Sequence, residues 1–245
     1  MEPQGSILAP SVARVIVFVH GVPETAAIWR KVQDAIGRPS TAVALPGFGC
    51  PLPEGFDATK DGYVAWLLGE LEQLGEPVDL VGHDWGALLA YRIVTSHPEV
   101  IRSWAADIGN TVHPAYEWHA FAQLWQTPGD GEASIEAQDA QPVEERAAGY
   151  ELFGLEPADA LEMATAGDLT MGRCILSLYR SCVPNAHAHW GPWAPVDRPG
   201  LVLHPSDDPF SDATLAAEVA VALGAGFEVM EGAGHFWPYQ APDAG

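Results

Sequence analysis

Basic residues are scarce in this sequence: 11 Lys and Arg stand against 33 Asp and Glu, for a formal net charge of −22. A field of that sign repels polyanions. It excludes nucleic acid and anionic membrane as partners and argues mildly against a strongly anionic substrate. The acidic residues are scattered rather than grouped, the pattern of a solvated surface. Cysteine is scarce too. Cys50, Cys174 and Cys182 fit neither a disulfide framework nor a zinc-ligand spacing, which points to a reducing compartment. No apolar run reaches the ~18 residues a membrane span requires, and Met1–Pro10 lacks the basic and apolar regions of a signal peptide. A cytoplasmic monomer or homodimer is expected. Internal repeats and low-complexity tracts are also missing. What is present is 245 residues with 48% hydrophobic content, enough for one sizeable core carrying an inserted subdomain.

Residues 14–20 form a short, almost wholly apolar and β-branched run, as in a strand buried on both faces. Residues 25–37 read as a helix closed by Gly37 and Pro39, and 41–45 as a second strand leading into Pro46-Gly47-Phe48-Gly49. Over 61–74, Val64, Leu67, Leu68, Leu71 and Leu74 recur at helical spacing. A strand at 77–82, a helix at 87–97 and a strand at 101–107 complete an alternation typical of a parallel sheet covered by helices on both faces. The rhythm breaks over 110–193, rich in Trp, Gly and Pro, with helical segments at 143–153 and 158–166 and no clear strand. It resumes with a strand at 200–204, a helix at 212–223 and a strand at 227–230. The expected fold class is α/β, a mostly parallel central sheet flanked by helices. Residues 1–109 and 194–245 would make the core, and 110–193 an inserted helical cap. Ten residues follow His235, about where a last helix should cover the sheet, so a truncated C-terminus or a missing helix is expected.

Gly82-His83-Asp84-Trp85-Gly86 has the form Gly-x-nucleophile-x-Gly, follows a predicted strand and opens a predicted helix, the context a nucleophile elbow requires. The glycines leave room around a strained turn, and the helix N-terminus behind it favours a carboxylate. The plainer alternative is Asp84 as a helix N-cap. His20-Gly21-Val22-Pro23-Glu24 ends the first strand, where the amide of Val22, with that of Trp85, could form an oxyanion hole; Pro23 would stiffen its loop, a cis bond being one way. Gly232-Ala233-Gly234-His235-Phe236 puts a histidine on a Gly-rich loop after the last strand. His204-Pro205-Ser206-Asp207-Asp208-Pro209 ends the strand before it. There Asp208 is preferred to Asp207 as the acid that orients His235, giving the chain order nucleophile, acid, histidine.

Together these motifs resemble the epoxide hydrolase and haloalkane dehalogenase branch of the α/β-hydrolases, over nearly the whole chain and most weakly across the cap. The resemblance implies an α/β-hydrolase fold, a catalytic set of Asp84, His235 and Asp208, and no cofactor. A carboxylate displaces a leaving group at saturated carbon, leaving an alkyl ester that His235 hydrolyses with water. An epoxide needs a proton donor for its departing oxygen, and the family uses two cap tyrosines. A halide needs only N–H donors, usually two, one being the Trp after the nucleophile, here Trp85. Aligned on the family pattern, the first tyrosine position falls at Phe121 and the second near Met163, neither with a hydroxyl. Tyr116, His119, Tyr150 and Tyr179 remain as proton donors, and Trp118 and Trp125 as halide donors. Aromatic residues of a small helical cap serve packing more often than ligand contact. Asp107, after the fourth strand, is the alternative acid, since some dehalogenases take theirs there. Val22-Pro23-Glu24 is nearer to the epoxide hydrolase form, so a small, largely apolar epoxide is the expected substrate, giving a vicinal diol; a haloalkane is the alternative. Haloacids are disfavoured, because Trp85 and Ala87 stand where those enzymes carry arginines.

Two further readings stay open. A metal centre on His187-Ala188-His189 or on His113 and His119 is weak, since no carboxylate pair has ligand spacing, and no metal is expected. A ligand-binding homologue that has lost the chemistry would show a broken triad.

Overall fold

The computed structural model describes residues 14–245; the Met1–Pro10 segment considered above lies outside them. Six strands form one sheet in the order β2-β1-β3-β4-β5-β6: β1 Ile16–Val19, β2 Ser40–Val43, β3 Val78–Gly82, β4 Ile101–Ala106, β5 Gly200–Pro205 and β6 Gly226–Met230. Every pairing is parallel. The alternation of β1 shows why both faces are dry. Val17 and Val19 belong to one apolar cluster with α2 (Lys60–Gln73) and α3 (Trp85–Ser96), whereas Ile16 and Phe18 belong to a second with α1 (Arg30–Ile36). Successive side chains of a strand point to opposite faces, so an unbroken apolar run is what a two-sided core demands.

The six strands and the helices between them fall within a residue or two of their expected positions, as their periodicity is strong. The tract between β4 and β5 is helical: α4 Ala120–Gln126, α5 Asp130–Asp139, α6 Val143–Glu151, α7 Pro157–Ala166, α8 Leu169–Arg180 and α9 Ala186–Trp190. It straddles the sheet. Met171, Cys174, Ile175 and Leu178 of α8 pack into the first cluster, and Ala147, Ala160, Met163 and Ala164 of α6 and α7 into the second. After β5 come α10 (Ala213–Leu223) and, past β6, a single turn, α11 (Trp237–Gln240), which packs against α1. That turn stands where a longer final helix is expected from the sequence. The three cysteines are free thiols, and no helix among the described residues is long and apolar enough to cross a membrane.

Candidate active site

The C-terminal ends of β1, β3, β4 and β5 bring together residues far apart in sequence. Asp84 stands between β3 and α3 with φ 50° and ψ −121°, a conformation rarely held by a residue with a side chain. It heads the helix, yet its side chain makes no capping hydrogen bond. Instead Oδ1 accepts from the Val22 amide at 2.8 Å. The N-cap reading is therefore set aside by where the carboxylate points. The glycines of the motif are steric necessities: a Cβ on Gly86 would lie 2.2 Å from the carbonyl oxygen of Val19, and one on Gly82 would lie 2.4 Å from that of Gly86. The Val22–Pro23 bond is cis.

His235 follows β6 on its loop, and its Nδ1 meets Asp208 Oδ2 at 2.9 Å; both are buried. Asp208 Oδ1 accepts from the Phe210 amide at 2.8 Å, which fixes the carboxylate. Asp107 does not face His235. Its Oδ1 accepts from the Asp84 amide at 3.0 Å, and its Oδ2 from Trp237 Nε1 at 2.6 Å and from His83 Nδ1. Of the two acids weighed, Asp208 is thus the one paired with the histidine. Asp107 belongs to a network beneath the elbow in which His83 bridges to Glu24 (Nε2 to Oε1, 2.9 Å) and Glu24 accepts from the Gly21 amide at 2.9 Å. This network was not foreseen from the sequence, although both of its histidine and glutamate members lie inside motifs singled out there.

Charge follows geometry. Burial raises the Asp84 carboxyl to about 6, with the nearby His235 opposing the shift and Glu24 adding to it. Burial works against a protonated His235, but the Asp208 charge and hydrogen bond outweigh it and raise the histidine, while Asp208 itself is lowered. His83 is raised well above its ordinary range: burial opposes its charge, and the two carboxylates that flank it overcome that. It is an imidazolium locked between Glu24 and Asp107. Glu24, His83 and His235 also offer ligand atoms within 4.8 Å of one another, a spacing a cation could use. Both ring nitrogens of His83 and Nδ1 of His235 are already bonded to carboxylates, so the cluster reads as a proton network.

A cavity of about 260 Å³ opens above Asp84 and His235, just below the ~300–1,000 Å³ span of ligand pockets. Of the candidate donors, His119, Trp125, Tyr150 and Tyr179 line it, as does Phe121. Tyr116 and Trp118 do not. The Trp118 indole N–H donates to the Cys182 carbonyl at 3.1 Å, and the ring stacks on Trp85 with centroids 5.8 Å apart. Met163, near the second expected tyrosine position, is buried in the second apolar cluster and does not line the cavity. Burial and the Asp84 charge raise Tyr179 well above its ordinary value, and burial with Glu24 raises Tyr150 to about 12. Both stay protonated and able to donate. Burial and His235 lower His119 to about 4, and its Nδ1 accepts from the Ala122 amide at 3.3 Å, so the neutral ring carries its proton on Nε2. Arg146 and Gln138 also line the cavity, two polar residues that the sequence did not bring forward.

A parallel six-stranded sheet with an acidic elbow after β3, an acid after β5 and a histidine after β6 has a counterpart among known families. The model of the Alpha/beta hydrolase family matches residues 16–244. The chain belongs to the alpha/beta hydrolase family. Within it, a haloalkane dehalogenase of Bradyrhizobium diazoefficiens is 29% identical over 142 residues, 50% of this chain and 46% of that one. Epoxide hydrolase 2 of Siraitia grosvenorii is 35% identical over 96 residues, 36% of this chain and 30% of that one. These matches span less than half the length of either relative. The crystal structure of the haloalkane dehalogenase DbeA from Bradyrhizobium elkani superposes over 96% of this chain and 88% of that one, with TM-score 0.74 at 22% identity. That likeness shows the α/β-hydrolase fold in which the elbow and its partners are set.

Proposed function

We propose that this alpha/beta hydrolase is an epoxide hydrolase working through an alkyl-enzyme ester on Asp84. The observation that carries the reading is the wall of the cavity. Two phenols, Tyr150 and Tyr179, line it together with Asp84 and His235, while the indole N–H of Trp118 is already bonded to Cys182. Phenols supply the proton an opening epoxide needs. The same reading makes the helical tract over 110–193 a cap on a core of 1–109 and 194–245.

The steps follow from which atoms are free. Asp84 Oδ1 is held by the Val22 amide, so Oδ2 attacks a ring carbon. The carbon–oxygen bond breaks, and its electron pair goes to the ring oxygen, which takes a proton from a tyrosine. Water then adds to the ester carbonyl carbon and gives a proton to His235, which Asp208 orients. Charge develops on the oxygen that the Val22 amide already meets, with the Trp85 amide as the second donor. Collapse expels the second diol oxygen, which takes the proton held on His235, and the proton left on the re-formed Asp84 carboxyl returns to the tyrosinate, so the diol leaves with carboxylate, phenol and histidine all restored. Alkylation itself readies the base, because the Asp84 charge that helps hold a proton on His235 disappears in the ester.

Haloalkane dehalogenation is the second reading, favoured by Trp125 on the cavity wall and by the name of one relative. Terminal epoxides and haloalkanes, offered to His235→Gln and followed by intact-protein mass spectrometry, test both. An epoxide adduct on Asp84 in that variant, with diol from the wild type, supports the proposal. Halide release without diol would replace it with the second reading, and an absence of any adduct would remove the covalent mechanism.

A further inference from the structure

Among the described residues that line the cavity, Arg146 is the one Lys or Arg, and the reaction proposed above gives it no task. Arg146, Gly149, Tyr150 and Phe153 are spaced three, four and seven apart, so α6 and the turn after it present them on a single face. A Cβ on Gly149 would meet nothing within 4 Å, which leaves that face open between its larger members. The guanidinium is under-used. Its Nη1 donates to the Gly167 carbonyl at 3.2 Å, while its Nε–H is buried with no partner among the described groups. No carboxylate forms an ion pair with it among the described residues. A buried cationic donor left unpaired is costly, and the planar fork of an arginine matches a carboxylate with two parallel bonds. The cavity that Arg146 and Asp84 share has a largely aromatic wall, with Trp125, Phe153, Phe210 and Phe236 among its members.

We propose that Arg146 binds a carboxylate on the substrate, so that the substrate class is an epoxide on an apolar body with a carboxylate tail. This deepens the epoxide reading and rests on it. The acidic surroundings do not argue against it. Asp139 and Asp168 line a smaller pocket that shares Arg146, and Asp168 Oδ1 is taken by the Met171 amide at 2.8 Å. With those charges close by, attraction is confined to direct contact with the guanidinium, which selects a carboxylate at one position rather than anions in general. The haloacid exclusion drawn from the elbow is unaffected, since there the carboxylate adjoins the reacting carbon.

The test needs no turnover. Octanoate and octan-1-ol share an apolar chain, and Trp125 on the wall supplies a fluorescence signal for titration of each. The wild type should bind octanoate about tenfold or more tightly than the alcohol. Arg146→Met should erase that preference and leave the affinity for the alcohol unchanged. Arg146→Lys, which keeps the charge but not the fork, should retain part of it and decides the matter if the Met variant does not fold. Equal binding of the two ligands by the wild type would overturn the proposal. So would an equal loss of both in the variants, which would mark Arg146 as structural through its bond to Gly167. Because the readout is binding, a failure to make diol would count against the epoxide reading alone.

Discussion

A carboxyl buried beneath helices and facing the Glu24 charge gives up its proton reluctantly, and Asp84 is accordingly raised to about 6. The sign of the effect on stability follows. The folded protein keeps this proton while the unfolded chain loses its own, so folding stability falls from about pH 4 to about pH 6 and is not regained above that. Asp84→Asn carries no such loss. Thermal melts should show the variant more stable than the wild type above pH 6, by at most about 3 kcal/mol, with the advantage vanishing below pH 4. The same proton governs chemistry. In the proposed mechanism only the carboxylate attacks, so the rate of ester formation in single-turnover experiments should drop about tenfold per pH unit below 6. The two candidate acids separate by what they hold. Asp208→Ala should slow hydrolysis of the ester, by up to about 10⁴-fold as in other triads, read in burst kinetics. Asp107→Ala strips one carboxylate from the buried His83 imidazolium, not from His235, and should lower stability by about 3–5 kcal/mol, read by denaturant titration.

Elements explain what could be read in advance. The strands and the elbow were legible because a two-sided sheet demands unbroken apolar runs, and the tight turn demands Gly82 and Gly86. Gly86→Ala tests that demand: with its Cβ only 2.2 Å from the Val19 carbonyl oxygen, the variant should be insoluble or lack the cooperative melt of the wild type. The helical tract was legible as helical but not in its facing. Aromatic residues recur along it, and sequence spacing does not say which ring turns toward Asp84 and which toward the core. Trp118 and Tyr116 packed away, Trp125 and Tyr179 lined the cavity, and Phe121 reached the wall at an expected tyrosine position without the hydroxyl. Arg146 had a readable signal, its spacing of four from Tyr150. That spacing alone does not single it out, because an exposed helix commonly carries arginines on its outer face. Tyr150→Phe and Tyr179→Phe, each removing one hydroxyl from this wall, should each slow epoxide opening about 10²–10⁴-fold while leaving ester hydrolysis intact in burst kinetics.

At the scale of the whole molecule, the charge of −22 and the Arg146 guanidinium on the cavity wall pull on an anionic ligand in opposite directions. The field acts at long range and is screened by salt, whereas the contact with Arg146 is short and partly buried. Octanoate should therefore associate faster as ionic strength rises, with little change in its dissociation rate, in stopped-flow fluorescence; octan-1-ol should show neither effect. The stacked pair of Trp85 on the elbow and Trp118 on the inserted tract has a consequence of another kind. With their planes 14° apart and centroids 5.8 Å apart, the two indoles should couple their excited states, and circular dichroism should lose that signal if the helical tract lifts from the elbow. The stacked pair would then serve as an intrinsic optical gauge of how closely the helical tract sits on the Asp84 elbow, one that Trp118→Phe should switch off.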